Sequence, residues 1–192
     1  MKNLYCIPII IFSNYLYSQI STPKYSNEFL NIGVGARSLA MSNSVITSTE
    51  GAMSGYWNPA NISKIKNDMQ IGLMHAEYFA GIAKYDFVSI VKKIDSKSGF
   101  GISFLRFGVD NIPNTSELID AQGNVDYDKI TYFSASDIAF LTSYGRKINE
   151  SLSIGGSVKI INRSAGDFAS AWGFGIDLSS TYKKNDLIFS VL

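Results

Sequence analysis

The chain has 192 residues, with 17 Lys or Arg against 16 Asp or Glu and a formal charge of +1. Charged residues make up 17%, well under the roughly 25% of an ordinary soluble domain, while aromatics reach 13%. Such a chain is too apolar and too weakly charged for disorder, and its neutral balance gives no electrostatic footprint for nucleic acid. The single cysteine, Cys6, excludes a disulfide framework and a cysteine-based metal site. Abundant Gly and Ser with only four prolines point instead to β-structure, of a kind that suits a membrane wall.

The chain opens on a basic start, Met1-Lys2-Asn3, followed by an apolar run from Leu4 to Phe12. That run is far shorter than the ~20 residues a spanning helix needs. Polar residues resume at Ser13-Asn14, so residues 1–19 read as a secretory signal peptide cleaved near residues 18–20. Cys6 lies inside the apolar run rather than after it, which argues against lipoprotein processing. The remainder is therefore expected outside the cytoplasm. No other stretch has the length of uninterrupted apolar sequence that a membrane helix requires.

Residues 20–68 do not alternate and read as a separate segment. From Met69 onward the period is two, the pattern of strands with one apolar face. Seven strands are expected: Met69–Ala76, Tyr85–Ile94, Ser98–Gly108, Ser134–Lys147, Leu152–Asn162, Ala171–Tyr182 and Leu187–Leu192. In the sixth, Trp172, Phe174, Ile176, Leu178 and Tyr182 share a face, opposite Gly173, Gly175, Asp177 and Ser179. The polar faces consist mainly of Gly, Ser and Ala, as suits a confined lumen rather than bulk water. Trp172 and Tyr182 are spaced to straddle the ~25 Å apolar band of an outer-membrane barrel. Connections at 94–98, 147–151 and 183–186 read as short turns. Those at His75–Lys84, Val109–Phe133 and Arg163–Ser170 read as longer loops, and a barrel alternates in this way. The fold class expected is all-β, an antiparallel transmembrane β-barrel. Seven strands would leave two open edges in lipid, so residues 69–192 are expected to be the first half of a barrel of about fourteen strands and the chain a truncation.

Residues 27–63 carry a resemblance. Phe29-Leu30, Gly33-Val-Gly-Ala-Arg37, Met41 and Tyr56-Trp-Asn-Pro-Ala60 resemble the N-terminal segment of the PorV/PorQ family, outer-membrane proteins of bacterial type IX secretion, and more distantly the FadL-type transporters. The stretch His75-Ala-Glu-Tyr-Phe-Ala-Gly-Ile-Ala-Lys-Tyr-Asp-Phe87 is similar to the family's first hairpin. Where the family commonly has a second Gly after the Met position, Ser42 and Asn43 stand here, and Asn61 stands where Gly usually follows Asn-Pro-Ala. The resemblance implies a FadL-like barrel with residues 20–68 folded into the lumen as a plug. Gly33, Gly35, Arg37, Met41, Trp57, Asn58 and Pro59 would then be plug residues, with Arg37 free to pair with a luminal carboxylate such as Asp177. It further implies partners: outer-membrane lipid, translocon or attachment subunits, and the C-terminal signal domains of exported cargo. The candidate partner-binding loops are those of His75, Glu77, Tyr78 and Phe79, of Asp110, Asn111 and Pro113, and of Asp120 and Asp126. The alternative is a channel for hydrophobic solutes, for which an apolar pocket against Phe29, Leu30 and Met41 would speak.

Enzyme chemistry is not expected, nor is a cofactor. Gly33-x-Gly35-x-x-Ser38 lacks the third glycine of a dinucleotide fingerprint and no strand precedes it. His75, the sole histidine, has no second histidine to share a metal. The acidic run Asp120–Asp128 lacks the ligand order of a calcium loop, and Gly155-Gly-Ser157 lies inside a strand pattern rather than at a nucleophile elbow.

Overall fold

The computed structural model describes residues 27–120 and 122–192. The signal-peptide reading of residues 1–19 lies outside them. Seven strands form one antiparallel sheet in chain order: β1 (Met69–Tyr78), β2 (Ala83–Lys93), β3 (Ser98–Asn114), β4 (Thr131–Lys147), β5 (Leu152–Ala165), β6 (Ala169–Lys184) and β7 (Leu187–Val191). Together they make a half-barrel in which β1 and β7 each have one unpaired edge. Among the described residues no helix is long and apolar enough to cross a membrane, which says nothing of strands.

The period-two reading puts every strand in place, but two of the three long loops are not loops. β1 continues through Tyr78, and a tight turn at 79–82 leads directly into β2. Phe79, Ala80 and Gly81 have φ of 55°, 57° and 86°, a left-handed run that reverses the chain without a loop. β5 and β6 likewise run to Ala165 and from Ala169, joined by a turn in which Gly166 has φ 50°. Between β3 and β4 a bulge at Val109/Ile112 absorbs Asp110 and Asn111, pairing then resumes from Ile112↔Phe133, and the loop shrinks to 115–130. These strands run past the turn residues because unpaired backbone amides are satisfied most simply by extending the ladder.

Register aligns one outward face across the sheet. Leu73, Val88, Phe104, Phe140, Ile160 and Phe174 lie side by side, with Ile71, Ile90, Ile102, Thr142, Val158 and Ile176 in the next row. All of these side chains but the half-buried Val88 and Thr142 are exposed, Phe174 at 78% and Ile176 at 74%. One row further toward the β1–β2 turn the same face carries His75, Asp86 and Arg106, ending at Trp172 on β6.

The opposite, inner face is where residues 27–65 lie. They form short helical turns at Glu28–Asn31, Ala36–Ala40, Gly51–Met53, Ser54–Trp57 and Pro59–Lys64. Phe29, Val34 and Tyr56 pack with Tyr85, Phe87, Leu105, Ala139, Leu141 and Ile161 into the main core. A smaller cluster joins Ile62 and Ile65 to Val91. So the alternate Gly and Ser positions do not face a solvent-filled space; they face this segment. Gly99, Gly145, Gly155 and Ser179 are neighbours in register and make a floor across β3–β6. A Cβ at Gly145 would stand 2.1 Å from the Pro59 carbonyl oxygen, and one at Gly155 2.3 Å from the Ala60 amide nitrogen. Contact of the Pro59–Ala60 backbone with strand backbone is possible only over residues without side chains.

Candidate functional site

The residues singled out from the sequence separate into two places. The first is the packed segment on the inner face. Gly33 and Gly35 both have φ 92°, a conformation that side chains rarely adopt, and a Cβ on Gly33 would strike the Asn43 side chain. Asn43 uses that side chain to donate to the carbonyls of Asn31 and Ile32, at 3.2 and 3.1 Å. Ser42 and Asn43 themselves have φ 51° and 64°, so a left-handed bend is made here by polar residues. Trp57 donates from Nε1 to the Val34 carbonyl at 2.9 Å, fixing these two stretches against each other.

Asn58 and Pro59 begin the turn over the glycine floor. The fully buried Asn58 caps it through Oδ1, accepting from the Ala60 amide, and its Nδ2 donates to the Ile46 carbonyl and to Thr181 Oγ1. The Ala60 amide also donates to Ser179 Oγ at 2.9 Å. Ser89 and Ser143 donate to the carbonyls of Ala52 and Gly55. Hydroxyls on the strands thus meet backbone groups of the segment. Burial pushes the Tyr56 phenol up to about 12, so it stays neutral among these apolar rings.

Two expectations for this segment need correction. Arg37 is exposed and forms no ion pair with any described residue, whereas Asp177 pairs with Lys159 at 2.7 Å and accepts from Ser157. Lys159 is closer because register places it on β5 beside Gly175, two residues along β6 from Asp177 and on the same face. Met41, at the end of a one-turn helix, is 42% exposed. Asn61 does not merely forgo flexibility. It is fully buried, donates to the Ile46 and Thr49 carbonyls, and accepts from Thr181 Oγ1. Tertiary contacts gave it that role, and no local pattern announced it.

The second place is the sheet end that carries the 115–130 loop. His75, Glu77 and Tyr78 are strand residues of β1, and Asp110, Asn111 and Pro113 belong to β3. His75 sits on the outward face with Asp86 at 2.6 Å and Glu77 at 3.5 Å, while Tyr78 turns inward onto Tyr85 and Phe107. Asp110 is held by Arg106 at 2.6 Å and Lys84 at 3.8 Å. Gly81, Ile82 and Lys84 face Asp110, Asn111, Ile112 and Pro113 across a groove of about 410 Å³. The bulge, in which Asn111 has φ 59°, forms one wall of it.

Asp120 and Asp126 sit in the loop proper and serve its own backbone. Asp120 Oδ1 accepts from the amides of Gln122 and Asn124, and Asp126 Oδ1 from that of Asp128. The hydrogen bonds from Asn124 hold the Asp120 carboxyl below the usual carboxylate range. Among the described residues no group of three or more His, Cys, Asp or Glu could hold a metal ion. The loop is instead tied by the Ile119↔Val125 bridge, leaving Ile119, Val125 and Tyr127 exposed. Phe79 at 77%, Tyr132 at 67% and Phe168 at 62% are exposed at the same end, with Phe168 edge-on to Phe133 at 5.0 Å.

Charge divides along the strands. At the loop end Glu77, Asp86, Asp110, Glu117, Asp120, Asp126, Asp128, Asp137 and Asp167 outnumber Lys84, Arg106, Lys129 and Arg163, nine to four. At the opposite end Lys66, Lys92, Lys93, Lys97, Arg146, Lys147, Lys183 and Lys184 outnumber Asp68, Asp95, Glu150 and Asp186, eight to four. The overall charge of +1 conceals this polarity, which only the topology brings out.

A family model described as "Type IX secretion system protein PorV" matches residues 18–192. No curated protein matches the chain.

Proposed function

The chain belongs to the PorV family, an outer-membrane component of the type IX secretion system, and on that premise we propose that its loop end is where exported cargo or secretion partners bind. The observation that carries the reading is the contrast between the sheet's two surfaces. The inner face is covered by residues 27–65, with Val34, Ala60 and Ile62 wholly buried. The loop end, by contrast, exposes Phe79, Ile119, Tyr127 and Phe168 amid an acidic surround. Exposed aromatics on turns held by a rigid sheet suit recognition of a protein surface, since little order has to be gained on binding.

The outward rows from Leu73 to Phe174 would face lipid, with Trp172 and Tyr182 at the two interfaces and His75, Asp86 and Arg106 marking the upper limit of the hydrocarbon. In lipid the unpaired edges of β1 and β7 need strand partners, so the seven strands would form part of a closed barrel whose lumen residues 27–68 would plug.

The test is a pull-down from detergent-solubilised outer membrane with the full-length protein as bait, run beside a Phe79→Asp/Tyr127→Asp variant. Recovery of cargo signal domains or translocon subunits by the parent, and their loss from the variant, supports the reading. Equal recovery by both moves the contact elsewhere. Recovery of neither, with fatty-acid uptake lost on deletion, replaces secretion with solute transport.

A further inference from the structure

We propose that the partner of the loop end is a polypeptide whose contact surface sets lysine or arginine beside apolar side chains; this rests on the reading of the loop end as a binding surface. Charge at this end is not evenly spread. Glu77, Asp86, Asp110 and Asp137 lie on strands and are answered there. His75 meets the first two, Arg106 and Lys84 meet Asp110, and Arg163 meets Asp137. Every strand cation of this end is thereby engaged. The connections at 79–82, 115–130 and 166–168 carry five carboxylates, Glu117, Asp120, Asp126, Asp128 and Asp167, against Lys129 alone. Lys129 lies 3.9 Å from Asp126. Glu117, Asp128 and Asp167 are exposed and have no cation within ion-pair distance among the described residues.

Apolar side chains stand among these carboxylates. The Ile119↔Val125 bridge sets two exposed aliphatic side chains on one side of the ribbon they form, since directly opposed residues share a face. Tyr127 precedes Asp128 and Phe168 follows Asp167, and both rings are exposed. The ribbon also stands furthest out. β2 stops pairing with β3 at Val109 and β5 with β4 at Ala135, whereas β3 and β4 stay paired to Asn114↔Thr131. Amides of Asp120 and Asp126 donate to the carbonyls of Asn124 and Leu118 at 3.0 and 2.9 Å, so these groups are presented in fixed positions.

This combination decides between classes of partner. The aromatics would suit a lipid surface, but carboxylates without counter-charges repel anionic lipid, as they repel nucleic acid. Addition of a strand to the sheet is also disfavoured. The β3 edge left free beyond Val109 is broken by the bulge, and Pro113 on it has no amide hydrogen to offer. Side chains therefore make the contact. Ammonium or guanidinium groups are drawn in by the carboxylates, and apolar neighbours cover Ile119, Val125 and Tyr127 on docking.

The test uses the full-length protein in neutral detergent with short fluorescent peptides of equal length, patterned Lys with Val, Glu with Val, or Lys with Ser. Association and dissociation are followed by anisotropy at low and high salt. The Lys–Val peptide should bind, less tightly as salt rises, and the other two should bind at least about tenfold more weakly. Glu117→Gln/Asp128→Asn/Asp167→Asn should slow its association about tenfold at low salt and leave thermal unfolding unchanged. Asp186→Asn, at an exposed carboxylate of the opposite end, should change neither. Equal binding of either other peptide, binding indifferent to salt, or an unaltered triple variant overturns the proposal. The same triple variant in the outer-membrane pull-down tells its failure from that of the loop-end reading. Partners lost with Phe79→Asp/Tyr127→Asp but kept by the triple variant leave the loop end as the site and remove selection by charge. Partners kept by both variants remove the loop end itself, and partners lost from both support the pairing of charge with apolar contact.

Discussion

Replacing Gly155 by Ala adds a single methyl group, yet it should release the inner-face segment. The new Cβ would lie 2.3 Å from the Ala60 amide nitrogen and 2.4 Å from the Pro59 carbonyl carbon. Both are backbone atoms, so no rotamer change makes room, and the turn at 58–61 must lift from the floor. Overpacking of this kind costs about 1–3 kcal/mol. Lifting also breaks the bonds from Ala60 to Ser179, from Asn58 to Thr181 and from Thr181 to Asn61, each worth about 1 kcal/mol. The expected loss is about 4–6 kcal/mol, or roughly 10–20 °C in unfolding temperature for a chain of this size. Gly173→Ala is the matched control, because its Cβ would meet nothing closer than Ile161 Cβ at 3.7 Å. Thermal unfolding in detergent and limited proteolysis of residues 27–65 read the outcome. If Gly155→Ala unfolds and resists protease like Gly173→Ala, the segment is not seated on glycine as described and the packing argument fails.

Other expectations follow from the same contacts. Asn61→Gly should destabilise the protein by about 2 kcal/mol, because three side-chain hydrogen bonds go, two of them buried, and the backbone there is not left-handed; equal or greater thermal stability would contradict this. Lys159→Met should cost about 3 kcal/mol by stranding Asp177, and Lys159→Met/Asp177→Leu should recover most of it, as a double-mutant cycle in chemical denaturant can show. The turns at Asp95 and Asp120 should loosen in acid. Amides of Lys97 and Ser98 bond the first carboxylate, and Asn124 and Gln122 the second, so both titrate below their unfolded value of about 3.9. Their contribution is therefore complete above that value and vanishes as pH falls through the lower folded pKa. Amide exchange at Lys97 and Asn124 should be slow at pH 6 and fast near pH 2 after correction for intrinsic rates, and no change in protection would refute the assignment.

Strand existence was legible because alternation is a local property. Trp172, Phe174, Ile176 and Leu178 declare one face whatever they pack against, and the resemblance at Gly33–Arg37 and Tyr56–Ala60 marked the segment that the family match also covers. Strand ends were less legible, since His75–Lys84 and Asp110–Pro113 carry polar and turn-forming residues that equally suit a loop. Their pairing depends on the neighbouring strand, which has no local signature. The same holds for the partner of Asp177. Arg37 and Lys159 are equivalent by charge alone, and only register brings Lys159 within 2.7 Å.

Composition and period thus settle that this is a β-sheet with an apolar outer face and an inner face of small residues, because both follow from side-chain type and spacing. Why the inner residues are small is a tertiary matter. Gly99, Gly145 and Gly155 lie far apart in the chain, become neighbours through pairing, and have no side chains because the backbone of Pro59–Ala60 and the Ile62 side chain occupy that space. The division of charge between the two ends has the same origin. Antiparallel strands collect the connections at alternate ends, so a chain balanced along its length becomes acidic at one end and basic at the other only when it folds.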